Sequence, residues 1–325
     1  MYKEKIKELN DNYLKENKPN FIIIILIVIL LVGLINTTPP NNFADGKIIT
    51  IEKGSTIKNT AELLEKENII RSKLLFNIII TMTNSNVIEG KYLFHSQENV
   101  FKVADRIKKG SYQIPSKRIT FFEGETSYQM AEKLKKNFPN FDVDTFYDLA
   151  LVNEGYLFPD TYDFKATISA EEAVKEMMDN FSQQISEISE KIENSDRTLN
   201  EIIKMASIIE GEADSTSRQE VADILWKRLD EGMPLQVDAT FVYSIGKNSF
   251  NLTLAELRDE ENPYNSYVFT GLPPTPINNP GIKAIEAAAQ QNETPYLFFL
   301  TGRDGNMYYA STFEAHKNNR YLYLD

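Results

Sequence analysis

The sequence has no cysteine, only two histidines and a single tryptophan in 325 residues. Without thiols there can be no disulfides, thiolate nucleophiles or cysteine-based metal centres. His95 and His316 are too few for a histidine-rich zinc site, and a Ser-His-Asp triad would have to recruit one of them. No cofactor and no metal ion is expected. Positive charge is also scarce, with 35 Lys and Arg against 47 Asp and Glu and a formal net charge of −12. That balance argues against a nucleic-acid partner, which would need a basic face.

One apolar run stands out, the 15 residues Phe21 to Ile35 (FIIIILIVILLVGLI). It falls a little short of the roughly 20 residues that span a bilayer, and its uncharged flanks can extend it. Lys3, Lys5, Lys7, Lys15 and Lys18 precede it, and no positive charge follows until Lys47. The asymmetry predicts a signal anchor with a cytoplasmic N-terminus and an external body. A cleaved signal peptide would need a small-x-small site, and INTTPPNNFA does not supply one. The expected division is a cytoplasmic stretch at 1–20, a transmembrane helix at 21–38 and a polar linker at 39–47.

Beyond the linker the chain repeats itself. IEKGSTIKNTAELLEKE (Ile51 to Glu67) aligns with FEGETSYQMAEKLKKN (Phe122 to Asn137) at an offset of 70, matching Gly54 with Gly124 and Thr56 with Thr126. Each copy reads as a strand, a tight glycine turn, a threonine cap and an amphipathic helix. Lys91 to Phe94 and Asn99 to Lys109 add a strand and a helix closed by Gly110. Ser169 to Glu193 reads as one long charged amphipathic helix, and Ser217 to Leu229 as another. Leu235 to Tyr243 (LQVDATFVY) alternates as a strand would. The fold class is α+β.

Chemistry concentrates in LNEIIKMASIIEGEA (Leu199 to Ala213). At about 100° per residue, Ile202, Ile203, Ala206 and Ile209 fall within roughly 60° of Leu199, and Glu210 falls near 20°, inside the same stripe. Glu201, Lys204 and Glu212 lie on the opposite side. A carboxyl on a core-facing stripe is partly desolvated, which raises its pKa towards that of a working general acid. Glu154 and Asp160, in the aromatic-rich EGYLFPDTY (Glu154 to Tyr162), rank behind it.

MASIIEGEA, RLDEGMPLQVDATFVYSIG (Arg228 to Gly246), NPYNSYVFTGLPPTPINNPG (Asn262 to Gly281), FEAHKNNRYL (Phe313 to Leu322) and EGYLFPDTY occur in one order along the chain. From about Ile48 to the C-terminus, this series resembles the YceG-like family of endolytic murein transglycosylases. The resemblance implies a membrane-anchored body with a LysM-like α+β module at 48–140 and an α+β catalytic domain at 141–325. It places Glu210 at the catalytic position and makes Gln236, Asp238, Tyr264, Asn265 and Asn279 cleft-lining, substrate-binding positions. Gly211 departs from the charged residue that some members carry after the catalytic glutamate.

The implied substrate is nascent peptidoglycan, cut internally between N-acetylmuramic acid and N-acetylglucosamine. The implied partners are these glycan strands, the membrane and the wall-synthesis machinery, penicillin-binding proteins included. A lytic transglycosylase needs one carboxyl, because the sugar's own 6-hydroxyl attacks carbon 1. A lysozyme-type hydrolase would need a second, at Asp238 or Glu212. A non-catalytic, membrane-tethered wall-binding scaffold is the third reading.

Overall fold

The computed structural model describes residues 23–28, 30–247 and 251–324. The expected cytoplasmic stretch lies outside them. Residues 23–28 and 30–37 are helical, with exposed apolar side chains such as Leu26 and Leu30. Among the described residues no helix is long and apolar enough to cross a membrane. The anchor expected at 21–38 thus rests on the sequence, and Phe21, Ile22 and Ile29 fall outside the described residues. The chain divides into two compact units, Met1–Pro115 and Ser116–Asp325.

In the first unit the order is β1 (Lys47–Ile51), α1 (Ile57–Lys66), α2 (Lys73–Met82), β2 (Gly90–Phe94) and α3 (Val100–Lys109). β1 and β2 pair antiparallel, Lys47 opposite Phe94 and Ile51 opposite Gly90. Alternation puts Ile49 and Ile51 on the buried face, where they meet Leu64, Phe76, Tyr92 and Phe94. Gly54 turns the chain at φ +78°, and the Thr56 side chain then accepts the Asn59 N–H at 3.1 Å to start α1. Gly110, left-handed at φ +65°, ends α3.

The second unit begins with the same pattern: β3 (Ser116–Thr120), α4 (Ser127–Asn137), α5 (Val143–Leu151) and β4 (Thr161–Lys165). Again the strands are antiparallel, Thr120 opposite Thr161. Gly124 turns at φ +80°, and Thr126 forms a capping box with Gln129. The second repeat therefore belongs to the C-terminal unit, and the contact boundary falls after Pro115, ahead of the 140/141 boundary expected from sequence. The reason is long-range. β3 has its partner in β4, 41 residues beyond Thr120, so the repeat cannot be separated from the residues C-terminal to it.

Next come α6 (Ala170–Glu187), α7 (Ser189–Glu193), α8 (Leu199–Glu212), α9 (Arg218–Asp230), α10 (Ala239–Ile245), α11 (Leu254–Leu257), α12 (Ile282–Ala289), β5 (Phe298–Thr301), β6 (Met307–Ala310) and α13 (Phe313–Tyr323). The single helix expected over Ser169 to Glu193 is broken at Ile188, which lies outside the helical region at φ −115°. The core of this unit forms around α8, where Ile202, Ile203, Met205, Ala206, Ile208 and Ile209 are all fully buried. Small residues of α12 (Ala284, Ala287, Ala288) and the Val221, Ala222, Leu225 and Trp226 side of α9 pack onto it. The Trp226 indole N–H donates to the Ala288 carbonyl at 2.9 Å.

The strand expected over Leu235 to Tyr243 is not formed. Pro234 keeps a single bridge to Thr270. Gln236 adopts φ +53°, in the left-handed region, and the Ala239 N–H then donates to Glu212 at 3.0 Å as α10 begins. The alternation of LQVDATFVY comes from one turn followed by one helix.

Candidate active site

Glu210 sits in the last turn of α8, a helix opened by the Thr198/Glu201 capping box. Its Oε2 accepts the Gly281 N–H at 3.0 Å, and its Oε1 accepts from the Arg218 guanidinium at 2.6 Å. Burial pushes the Glu210 carboxyl above the usual carboxylate range, Gly281 and Arg218 oppose the shift, and Glu123 adds to it. This is the environment the helical wheel predicted for a core-facing acid.

The loop that supplies Gly281 is laced to α8. The Ile277 N–H donates to Ser207 Oγ at 3.1 Å and the Asn278 amide to the Ser207 carbonyl at 2.8 Å. Farther along, Asn279 is fully buried. Its Oδ1 accepts the Gly155 and Leu157 N–H groups at 2.9 and 3.0 Å, and its amide donates to Glu154 at 2.9 Å. Asn279 thus joins the EGYLFPDTY segment to the loop holding Glu210.

Next to Glu210 lies a cleft of about 850 Å³, in the range of roughly 300–1,000 Å³ that encloses small ligands. Tyr128, Tyr147, Tyr243 and Tyr264 give it aromatic walls, and Gln129, Asn262 and Asn278 give it amides. Gly124 and Gly211 line the end nearest the acid. A side chain at Gly124 would stand 3.5 Å from Glu210 Cγ. Aromatic faces suit the apolar faces of sugar rings, and amides suit their hydroxyl and acetamido groups.

Residues 49–321 match the YceG-like family. The chain belongs to it. An endolytic murein transglycosylase of Bacillus subtilis is 27% identical over 85% of this chain and 84% of that protein. One from Streptococcus pneumoniae strain D39 is 26% identical over 83% of this chain, which spans only 57% of that longer protein. A YceG-like protein of Listeria monocytogenes, solved by crystallography at 2.6 Å, superposes with a TM-score of 0.56 and 26% identity, covering 84% of this chain and 99% of its own.

Within this YceG-like chain the other sequence-predicted positions scatter. Tyr264 lines the cleft, and its hydroxyl meets Thr275 at 2.8 Å. Asn265 is interior, its amide donating to the backbone carbonyls of Glu256, Leu257 and Asp259. Asn279 is interior as described. Gln236 is exposed and accepts from Arg228 at 2.7 Å. Asp238 accepts the Tyr267 hydroxyl at 2.8 Å. None of these last four is among the residues lining the cleft.

Glu212 lies across the wheel from Glu210, yet α10 covers it. Burial pushes it up to about 7. Asp160 is exposed and bonded to Asn180. His316 stacks on Phe298 with ring centroids 5.4 Å apart.

Three residues near the acid have no forewarning in the sequence: Arg218, Glu123 and Asn278. The Asn278 Oδ1 is buried and has no partner among the described residues, at a residue that lines the cleft. Nothing in their local patterns singles them out, because each gains its meaning from packing across the unit. Glu154 also gains weight. It lines the cleft and accepts the Ser127 N–H at 3.1 Å, while burial holds its pKa at about 7.

Proposed function

We propose that this YceG-like chain is a lytic transglycosylase that cuts peptidoglycan strands internally, with Glu210 as its one acid and base. The observation that carries this reading is the largely buried Glu210, its pKa raised, lying behind Gly124 and Gly211 at the wall of an aromatic- and amide-lined cleft whose lining it does not itself join. Protonated Glu210 gives its proton to the oxygen between N-acetylmuramic acid and N-acetylglucosamine. The C1–O bond breaks with its electron pair going to that oxygen. The 6-hydroxyl of the muramic sugar then attacks C1, and its proton returns to Glu210, leaving a 1,6-anhydro end. Proton transfer of this kind contributes roughly 10²–10⁴-fold in rate.

Three further carboxyls of this unit are engaged by other groups, in keeping with a single-acid scheme. Asp238 is bonded to Tyr267, Glu212 caps the Ala239 N–H, and Glu154 is held by Ser127 and Asn279.

The apolar segment at 21–38 serves as a signal anchor, with the body outside the membrane. The first unit, helices on a two-stranded sheet, serves as a LysM-like glycan-binding module. A body tethered there would work beside the enzymes that polymerise new strands, penicillin-binding proteins among them.

Mass spectrometry of glycan fragments released by the full chain in detergent tests the reading. Anhydro ends are expected. Reducing ends would make the chain a hydrolase, and the absence of any cleavage would leave a wall-binding scaffold.

A further inference from the structure

Two acids meet at the Gly281 backbone, and Arg218 bridges them. Glu210 Oε2 accepts the Gly281 N–H at 3.0 Å. The Glu123 carboxylate fills the space where a side chain on residue 281 would stand, its Oε1 overlapping the position of such a Cβ. Arg218 reaches both acids through one nitrogen, Nη2, at 2.6 Å from Glu210 Oε1 and 3.4 Å from Glu123 Oε2. The side chains of Arg218 and Glu210 are only 14% and 6% exposed, whereas that of Glu123 is 46% exposed. The Arg218 Nε is buried without a partner among the described residues, so the guanidinium is fixed from one end only. Glu123 and Arg218 are the charged groups acting on Glu210, and Gly281 contributes its amide alone.

We propose that Arg218 is a positioning residue shared between Glu210 and Glu123, passing to Glu123 while Glu210 is protonated and returning as Glu210 becomes a carboxylate. The inference rests on the acid/base role proposed above for Glu210.

A lone Arg beside Glu210 would favour the carboxylate throughout and oppose the proton that the first step needs. A second acceptor 0.8 Å farther from the same nitrogen (3.4 against 2.6 Å) removes the conflict. Protonated Glu210 no longer needs the cation, and the half-exposed Glu123 does. Oε2 stays on the Gly281 N–H in both states, so Oε1 is the oxygen that gives up and later recovers the proton. No bond other than these hydrogen bonds changes, and the net charge of the cluster follows the single proton.

The test is the pH dependence of kcat/KM for the full chain and three variants. The protonated acid is required, so activity falls on the alkaline side as Glu210 ionises. Arg218→Ala removes the cation and should move that limb up by about one pH unit or more. Glu123→Gln leaves Arg218 committed to Glu210 and should move the limb down. Arg218→Lys should return it towards the wild-type position.

A structural role alone would lower activity without opposite displacements. Unmoved limbs, or limbs moving the same way, would overturn the proposal. Should Arg218→Ala fold poorly, Glu123→Gln and Arg218→Lys still decide the matter. A ¹³C titration of the Glu210 carboxyl, identified by the signal lost in Glu210→Gln, reads the same displacements without turnover. If Glu210→Gln keeps wild-type activity, the acid/base reading fails, while this titration still tests the shared arginine.

Discussion

The chain contains one β-α-α-β unit twice, Lys47–Phe94 and Ser116–Lys165. Both copies turn on a left-handed glycine, Gly54 and Gly124, and both start their first helix on a threonine cap. Their surroundings differ. A side chain at Gly54 would meet nothing within 4 Å, whereas one at Gly124 would meet Glu210. Lys53 precedes the first glycine and Glu123 the second. Lys58 and Asn59 are exposed in the first copy, where Tyr128 and Gln129 line a cleft in the second. Local sequence builds the same scaffold in both places, and only the second copy lies against Glu210 of α8.

Asn279 ties the second copy to the Glu210 loop and has no equivalent in the first. Asn279→Ala leaves the Gly155 and Leu157 N–H groups without their acceptor, at about 1–3 kcal/mol each, and removes one of the donors to the Glu154 carboxyl, which keeps the Ser127 N–H. Urea denaturation should show a loss of about 4 kcal/mol or more. A loss below about 1 kcal/mol would mean that the junction is not structural.

Glu154 provides the next test. Its folded pKa of about 7 lies above the ordinary carboxyl value of 4.5, so the folded state holds its proton more tightly than the unfolded chain does. Stability is then greatest below about 4.5 and falls as pH rises towards 7, on the order of 3 kcal/mol for this group. Glu154→Gln should flatten the decline in stability measured from pH 4.5 to 8, with Glu210 and Glu212, both also raised by burial, contributing to what remains. An unchanged slope would show that Glu154 carries no such proton.

Smaller effects separate scaffold from site. Gly54→Ala and Gly124→Ala each force a side chain into the left-handed region at about 1–2 kcal/mol. The stability costs should match, and only Gly124→Ala should also lower turnover. Thr56→Ala and Thr126→Ala should each cost about 0.5–1 kcal/mol in thermal denaturation. A cost at one cap alone would show that the copies are not equivalent scaffolds.

The repeat, its glycines and caps, and the inward face of Glu210 are legible because each is a local pattern with a local cause. The features that escape depend on distant packing. The domain boundary is set by β4 recruiting β3. The LQVDATFVY alternation mimics a strand, and only the left-handed Gln236 reveals the turn. Glu212 is opposite Glu210 on a wheel, which says nothing about α10 arriving to cover it. Asn265 and Asn279 share a loop rich in candidate sugar ligands, yet both are used internally. Arg218 and Glu123 are 95 residues apart, and no spacing pattern joins them.

In the proposed reaction one carboxyl suffices. The most direct measurement is turnover of purified peptidoglycan strands by Glu210→Gln and Asp238→Asn, in one assay with the unmodified chain. A single acid predicts a loss of roughly 10²–10⁴-fold for Glu210→Gln and a far smaller one for Asp238→Asn. Equal losses at both positions would contradict it and point to a two-carboxylate hydrolase.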